Sequence, residues 1–304
     1  MKLLIGGSPC THWSIAQTKN RETEPSGIGW ELFENYLIAL DKFKPDFFLY
    51  ENNKSMSQAI RAEITKRLGV DPICINSALV SAQSRQRLYW TNIPGVQQPE
   101  DRGIYLDDEL GPDDFSEYNG GPFVRSKPDL ESHYNSTWQI GATGKSGGQS
   151  VRVYDIKGKS VTMKSQAGGG GAKTGLYLIG EEVKSLSKSG VAKCQTVPEW
   201  YVFPVSDQQA ITLMGNGWTV DVIAHILSYC PGIATEPLDV LSMYDGMACG
   251  HIALDKLGAH ISRYRATEID KYAVKTACHN FPDIEQLGDA FQVRNEEFWT
   301  EVIG

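Results

Sequence analysis

The sequence predicts an α/β protein: an open, doubly wound sheet with helices on both faces, plus a smaller and irregular β-rich domain. Three observations predict it. Short apolar runs alternate with helix-period stretches over residues 1–95, the rhythm of strand–helix–strand units. From about Val96 to Pro204 that rhythm stops, and prolines, acidic clusters and glycines take over. It resumes at Ser206 and runs to the end of the chain. The 304 residues suffice for one large domain with an insertion, and a hydrophobic share of 41% supplies a core.

Leu3-Leu4-Ile5 reads as the end of a buried strand, which Gly6-Gly7 break into a loop. Pro9 fixes its own φ and biases Ser8 to an extended conformation, so Cys10 sits on a pre-set turn. Loops at the C-terminal ends of strands are where open α/β sheets present reactive groups. Cys10 therefore reads in two ways, as a nucleophilic thiolate or as a small buried hydrophobe at a tight turn. Gln17 to Ser26 reads as a mobile polar loop. A helix follows with Ile28, Leu32, Phe33, Tyr36, Leu37 and Leu40 on one face, and Pro45 stops it. Phe47–Tyr50 is a short strand that delivers Glu51-Asn52-Asn53 at its C-terminal end. A second helix spans roughly Ser55 to Leu68, with Ile60, Ile64 and Leu68 inward and Gly69 as C-cap. Strand-like runs around Ile73 and Leu88 enclose Gln83-Ser84-Arg85-Gln86-Arg87, whose two arginines alternate and so share a face.

In the middle region, Val151–Tyr154 and Gly175–Ile179 alternate as short strands. Gly168–Gly171 reads as a flexible linker or as a place where backbone approaches a ligand. Ser206-Asp-Gln-Gln209 is a capping box; a Gly215-Asn216-Gly217-Trp218 turn and a helix to about Tyr229 follow. Leu238–Tyr244 is a strand, Asp245–Gly250 a turn opening a helix to Leu257, and a strand near Tyr264–Thr267 ends in Glu268. Asp289, after Gly288, ends a third strand. An acidic residue some way past a glycine turn is the arrangement that holds a nucleoside ribose. No G-x-G-x-x-G accompanies it, which argues against a nicotinamide dehydrogenase.

No run of about 18 apolar residues is present, so no membrane span and no membrane partner are expected, and no basic-then-apolar leader opens the sequence. The six cysteines are scattered without a C-x-x-C pair. That argues against a disulfide framework and a structural zinc site, leaves no metal expected, and suits a reducing cytoplasm. The net charge of −8 speaks against indiscriminate nucleic-acid binding. Its distribution is uneven: residues 145–193 carry nine Lys/Arg against three acids, whereas 96–132 carry ten acids against three basic residues. Lys145, Arg152, Lys157, Lys159, Lys164 and Lys173 in the basic island are candidate DNA contacts; a solvated lysine-rich loop would read the same way.

Taken together these stretches resemble the DNA (cytosine-5) methyltransferases, in motif most of all their animal de novo branch. Gly6-Gly-Ser-Pro-Cys10 resembles the family's catalytic loop. Glu51-Asn52-Asn53 resembles its E-N-V motif, departing at Asn53. Gln83-x-Arg85-x-Arg87 matches Q-x-R-x-R, and Met214–Val220 is similar to the late motif that closes over the cofactor. Tyr244-Asp-Gly-Met-Ala-Cys-Gly250 is close to the branch's F-D-G-I-A-T-G. The resemblance implies a Rossmann-like S-adenosylmethionine-dependent methyltransferase sheet, with S-adenosylhomocysteine as product. It implies catalysis by Cys10, Glu51, Arg85 and Arg87. It implies cofactor binding by Pro9, Asn216, Trp218, Tyr244, Asp245, Gly246, Met247, Cys249, Glu268, Ile269, Asp289 and Ala290. Double-stranded DNA is the implied partner, with a cognate restriction nuclease as a further candidate, in the cytoplasm of a bacterial or phage-infected cell.

The order of the motifs is not the family's. The cofactor unit, which usually precedes the Pro-Cys loop, here follows it, so the resemblance implies a circular permutation whose two chain ends are neighbours. Residues 1–95 would be the catalytic half, 96–204 the target-recognition domain and 205–304 the cofactor-binding half. The chemistry accounts for the residues. Cytosine C5 is a poor nucleophile until a thiolate adds at C6, which calls for Cys10, and a proton delivered to N3 by Glu51 eases that addition. The base must first be flipped from its duplex. The same chemistry would serve an RNA cytosine methyltransferase. A non-catalytic binder on the same fold is the third reading.

Overall fold

The computed structural model describes residues 1–15, 21–126, 132–134, 136–144, 150–165 and 173–303. These form two compact units, one of residues 1–75, 86–98 and 223–304, the other of 76–85 and 99–222. The units do not follow the sequence-level divisions at 95 and 204, because residues 76–85 and 205–222 belong with the middle region. A buried polar network accounts for that: Gln83 Nε2 donates to Gln195 Oε1 (3.1 Å), Thr219 Oγ1 donates to the same oxygen (2.9 Å), and Ser77 Oγ donates to Thr219 Oγ1 (2.8 Å). Buried polar atoms hold only where they are paired, so this network fixes the segments to one body.

The first unit opens with β1 (Lys2–Gly6), α1 (Ile28–Phe43), β2 (Phe47–Asn53), α2 (Gln58–Leu68), β3 (Ile73–Asn76) and β4 (Gln86–Thr91). Leu3, Leu4 and Ile5 are wholly buried, as a strand covered on both faces requires. In α1, Gly29, Trp30, Phe33, Asn35, Tyr36, Ala39 and Phe43 are buried; Phe33 and Tyr36 belong to the expected face, and Leu37 and Leu40 pack partly buried against the same core. Ile28, expected inward, is exposed. Lys44 ends α1 in the left-handed region (φ 50°) and donates its N–H to Leu40 O, so the stop comes just before Pro45. In α2, Ser57 accepts from the Ile60 amide, and Gly69 at φ 71° closes the last turn onto Thr65 O. β2 runs three residues further than expected, because antiparallel β4 continues the ladder through Glu51↔Tyr89 and Asn53↔Arg87.

The second unit contains α3 (Leu106–Glu109), β5 (Phe115–Glu117), β6 (Val124–Arg125), β7 (Ser132–Tyr134), β8 (Thr137–Ala142), β9 (Arg152–Asp155), β10 (Leu176–Ile179), β11 (Glu182–Leu186), α4 (Lys188–Cys194) and α5 (Asp207–Asn216). The expected irregular β region is a sheet of order β5-β11-β10-β9-β8-β6, with β7 added to β8. Ile140, Val153 and Leu176 form its small core. The capping box at α5 is present: Ser206 accepts from the Gln209 amide and Gln209 accepts from the Ser206 amide. Gly168–Gly171 lie outside the described residues.

α6 (Val220–Ser228) leads back into the first unit, followed by β12 (Leu238–Met243), α7 (Cys249–Lys256), β13 (Ile261–Thr267), α8 (Lys271–Asn280), β14 (Glu285–Gly288) and α9 (Glu296–Ile303). Against the expectation that no segment could span a membrane, the stretch Asp207–Ser228 has the length and apolar content of a membrane-crossing helix. It is mostly buried and breaks between α5 and α6, as core helices of globular folds do. The first unit's sheet has the order β14-β13-β12-β1-β2-β4-β3. β14 to β2 are parallel neighbours and β4 is antiparallel to β2. α7 lies close on β1, where a Cβ on Gly250 would stand 2.3 Å from Ile5 Cδ1. The two ends of the chain are neighbours, as expected. Asp239 donates its amide to Met1 O (2.9 Å), and the fully buried Arg265 reaches Asp239 with one nitrogen and Val302 O with another.

Candidate active site

Strand register places the first group. Gly6, the last residue of β1, is level with Tyr50 on β2 and with Met243 on β12. A Cβ at Gly6 would stand 2.7 Å from Met243 O, so only glycine allows the strands this spacing. The chain then turns through Ser8 and Pro9 (φ −48°) into a 3₁₀ turn, Cys10–His12, closed by the Trp13 and Ser14 amides on Cys10 O. Cys10 is partly exposed and forms no disulfide. That overturns the reading of it as a buried hydrophobe. Ser8 is buried and its hydroxyl pairs with Tyr50 OH at 2.6 Å. Asn52 Nδ2 donates to Ser8 O (3.1 Å) and Tyr50 OH (3.2 Å). Burial raises the Tyr50 phenol far above its ordinary range, so it stays a neutral hydroxyl.

The far side of the loop is also tied. Trp13 is wholly buried and its indole donates to Glu22 Oε2 (3.1 Å), whose carboxylate also accepts from the Gly29 amide and lies 3.5 Å from His12 Nδ1. Arg21 donates to Trp13 O and to Ser55 O. Within the stretch expected to be a mobile loop, Arg21 and Glu22 are thus tied to Trp13, Gly29 and Ser55; residues 16–20 lie outside the described residues. Ser8, Tyr50, Arg21, Glu22 and Ser55 do not stand out from sequence. Ser8 lies inside the G-G-S-P-C match and Tyr50 directly before Glu51, which are the signals that could have found them.

Glu51, two residues before the end of β2, is nearly buried, with Arg87 Nε 3.1 Å from its Oε1. These two expected residues are brought together. Arg85 is not part of that pair. It precedes β4, belongs to the second unit and is 4% exposed. Its guanidinium donates to Met163 O (3.0 Å), Gly215 O (3.2 Å) and Gly217 O (2.9 Å). The shared face expected from strand alternation fails because the strand begins only at Gln86. Arg85 thus braces the turn around Asn216, which is exposed at the end of α5, with Trp218 half-buried just beyond it.

The cofactor-type loop follows β12. Tyr244, Gly246 and Ala248 all take left-handed backbone, each at φ 61°. Two of these are not glycine, a strained arrangement that clusters at functional sites. The Asp245 amide donates to Thr267 O (3.1 Å) and the Gly246 amide to Glu268 Oε2 (2.8 Å). Glu268 Oε1 accepts from the Ile269 and Asp270 amides, both at 2.8 Å. A carboxylate has about four acceptor positions, so Glu268 keeps one for a ribose hydroxyl. Beside it Ile269 is 74% exposed, an apolar surface suited to a base. Open space meets a Cβ built on Gly246 or Gly288, so the loop tips leave room for a nucleoside. Asp289 turns one oxygen back to the Phe291 amide, ahead of buried Ala290. These residues fit a nucleoside cofactor.

Four expected cofactor residues turn their side chains inward instead. The Asp245 carboxyl is buried, accepting from Ser242 Oγ (2.6 Å) and Tyr264 OH (2.7 Å), and burial pushes it up to about 6. Met247 and Cys249 are 1% and 3% exposed, so their side chains lie in the core. Tyr244 places its hydroxyl on Leu32 O (2.7 Å), tying α1 to the loop.

Of the basic candidates, Arg152 and Lys157 are exposed, Lys164 is half-buried beside Arg152, and Lys173 Nζ donates to Thr212 Oγ1 (3.0 Å). Lys145 lies outside the described residues. Lys159 is a correction: it is 1% exposed, its ammonium donates to Ser81 O and Ile104 O, and it lies over the Tyr105 ring. Burial depresses its pKa, and it holds the unit together. Among the described residues no cluster suited to a metal ion is present.

The chain is similar in sequence to known proteins. The Type II methyltransferase M.HhaI of Haemophilus parahaemolyticus is 27% identical over 245 residues, 74% of each chain. Solved structures of the Entamoeba histolytica methyltransferase EhMeth and of S. pombe Dnmt2 methyltransferase are similar at 12% and 19% identity. Each has a TM-score of 0.47 and covers 75% or 74% of this chain and 76% or 77% of its own. The family model described as C-5 cytosine-specific DNA methylase matches residues 1–69 and 108–231, more than half of the sequence. The chain therefore belongs to the C-5 cytosine-specific DNA methylase family, whose members use S-adenosylmethionine.

Proposed function

We propose that this protein methylates C5 of a flipped-out cytosine in double-stranded DNA through a covalent adduct on Cys10. The observation that carries the reading is the register of β12, β1 and β2. Because Met243, Gly6 and Tyr50 are level, the cofactor-type loop, the Cys10 turn and Glu51 all leave the same edge of one sheet, where such folds bind ligands.

The Cys10 thiolate adds to C6 while Glu51, steadied by Arg87, carries a proton at N3. C5 thereby becomes enamine-like. S-adenosylmethionine, when bound, supplies the electrophilic methyl group that C5 takes. Glu268 would hold the nucleoside end through its remaining acceptor position, with Ile269 beside it. The N3 proton returns to Glu51, the C5 proton passes to solvent, the C6–S bond breaks, and Cys10 is released as thiolate. The second unit serves as the target-recognition domain, with Arg152 and Lys157 toward phosphates.

The test is covalent trapping on duplex DNA containing 5-fluorocytosine, where the fluorine blocks the final elimination. A cofactor-dependent adduct that Cys10→Ser abolishes, with the fold unchanged, is expected. No adduct on DNA, or an adduct only on structured RNA, would refute the reading.

We further read the chain as a circular permutant. Counting strands from β12 through to β2, the sheet order becomes 3-2-1-4-5, that of doubly wound nucleotide-binding folds. The neighbouring chain ends support the same reading.

A further inference from the structure

We propose that Asn53 is a positioning residue: with Ser55 and Arg21 it latches the far side of the Cys10 turn, so that the nucleophile is set before nucleic acid binds. The inference rests on the function proposed above for Cys10, and it begins from the one position where the E-N-V resemblance fails. Asn53 is 4% exposed, and each of its side-chain atoms has a partner. Oδ1 accepts from Ser55 Oγ (2.8 Å), and Nδ2 donates to Asn52 Oδ1 (3.2 Å).

The bond to Ser55 has a direction. Because the Ser55 hydroxyl gives its one proton to Asn53, its lone pairs are left for the Ile15 amide, which donates to it at 3.3 Å. Arg21 adds two bonds on the same side, from NH2 to Ser55 O (2.7 Å) and from Nε to Trp13 O (3.2 Å). The Cys10–His12 turn thus lies between two anchors. Ser8 is held by Tyr50 and Asn52 on the near side, and Trp13 and Ile15 by Ser55 and Arg21 on the far side. A valine at 53 could fill the volume but could not orient the Ser55 hydroxyl. Ordering the loop in advance removes that entropic cost from the reactive step, so the latch acts on the rate of thiolate addition rather than on DNA affinity.

Asn53→Val and Ser55→Ala, singly and together, test this with two readouts. Hydrogen exchange of the Trp13, Ser14 and Ile15 amides in the free protein reads the latch directly. Adduct formation on 5-fluorocytosine duplex reads its consequence. We expect each single variant to lose about tenfold in protection and in adduct rate, the size of one hydrogen bond. KM for DNA should be unchanged, and the double variant should be no worse than the worse single. Wild-type protection and rate in Asn53→Val, or strictly additive losses in the double variant, would overturn the proposal. Arg21→Gln gives the same reading should Asn53→Val not fold. A wild-type protein that forms no adduct would refute the function proposed for Cys10, while exchange would still decide the latch.

Discussion

Asp245 offers a prediction whose size follows from its surroundings. Its carboxyl is fully buried, and one oxygen accepts from Ser242 and Tyr264 while Oδ2 has no hydrogen-bond partner. Desolvation outweighs those two bonds and pushes the carboxyl from 3.8 up to about 6. Between those values the folded protein holds a proton that the unfolded chain has released. Stability therefore falls as pH rises through this window and levels off above it. Ionising the carboxyl in its buried setting rather than in water costs about 3 kcal/mol over that interval. Asp245→Asn keeps the acceptor for Ser242 and Tyr264 and replaces the ionisable oxygen with a neutral group. Urea unfolding of both proteins from pH 4 to 8 should show the variant gaining about 3 kcal/mol relative to wild type as pH rises past 6, with other groups cancelling in the difference. Parallel curves for the two proteins would show that the carboxyl is not buried against ionisation and that its side chain faces solvent or cofactor.

Gly6→Ala puts a methyl group 2.7 Å from a backbone oxygen of β12, so it should cost about 1–3 kcal/mol and slow adduct formation by shifting the Cys10 turn; denaturant unfolding and trapping measure the two. Arg152→Ala and Lys157→Ala should each reduce the slope of log affinity against log salt by about 1. Lys159→Met should leave that slope alone and lower stability instead, since it deprives two buried carbonyls of their donor; a slope change there would contradict its burial. Joining residue 303 to residue 2 through a short flexible linker, and opening the chain within 231–237, should give a folded and active protein. Failure of that relinked chain to fold would count against the permutation.

Much of the candidate site was legible in the sequence because its placement depends on residue types held at short range. A proline before a cysteine, a glycine-broken strand end and an acidic residue closing the next strand are local signals, and the strands and helices around Cys10, Glu51 and Glu268 follow from apolar periodicity over a few residues. The motif order, read against the family's, also implied that the chain ends would be neighbours. What only the tertiary structure decided depends on partners distant in sequence. Lys159 reads as a surface lysine until the carbonyls of Ser81 and Ile104 are seen around its ammonium. Arg85 and Arg87 look equivalent at a spacing of two, yet one braces Gly215 and Gly217 and the other pairs with Glu51. Asn53 looked like a flaw in a motif, and its bond to Ser55 makes it part of the loop's support. Hydrophobic periodicity reports which face of an element is buried; which polar group meets which is fixed only when the elements pack, because each pairing joins segments that the sequence holds far apart.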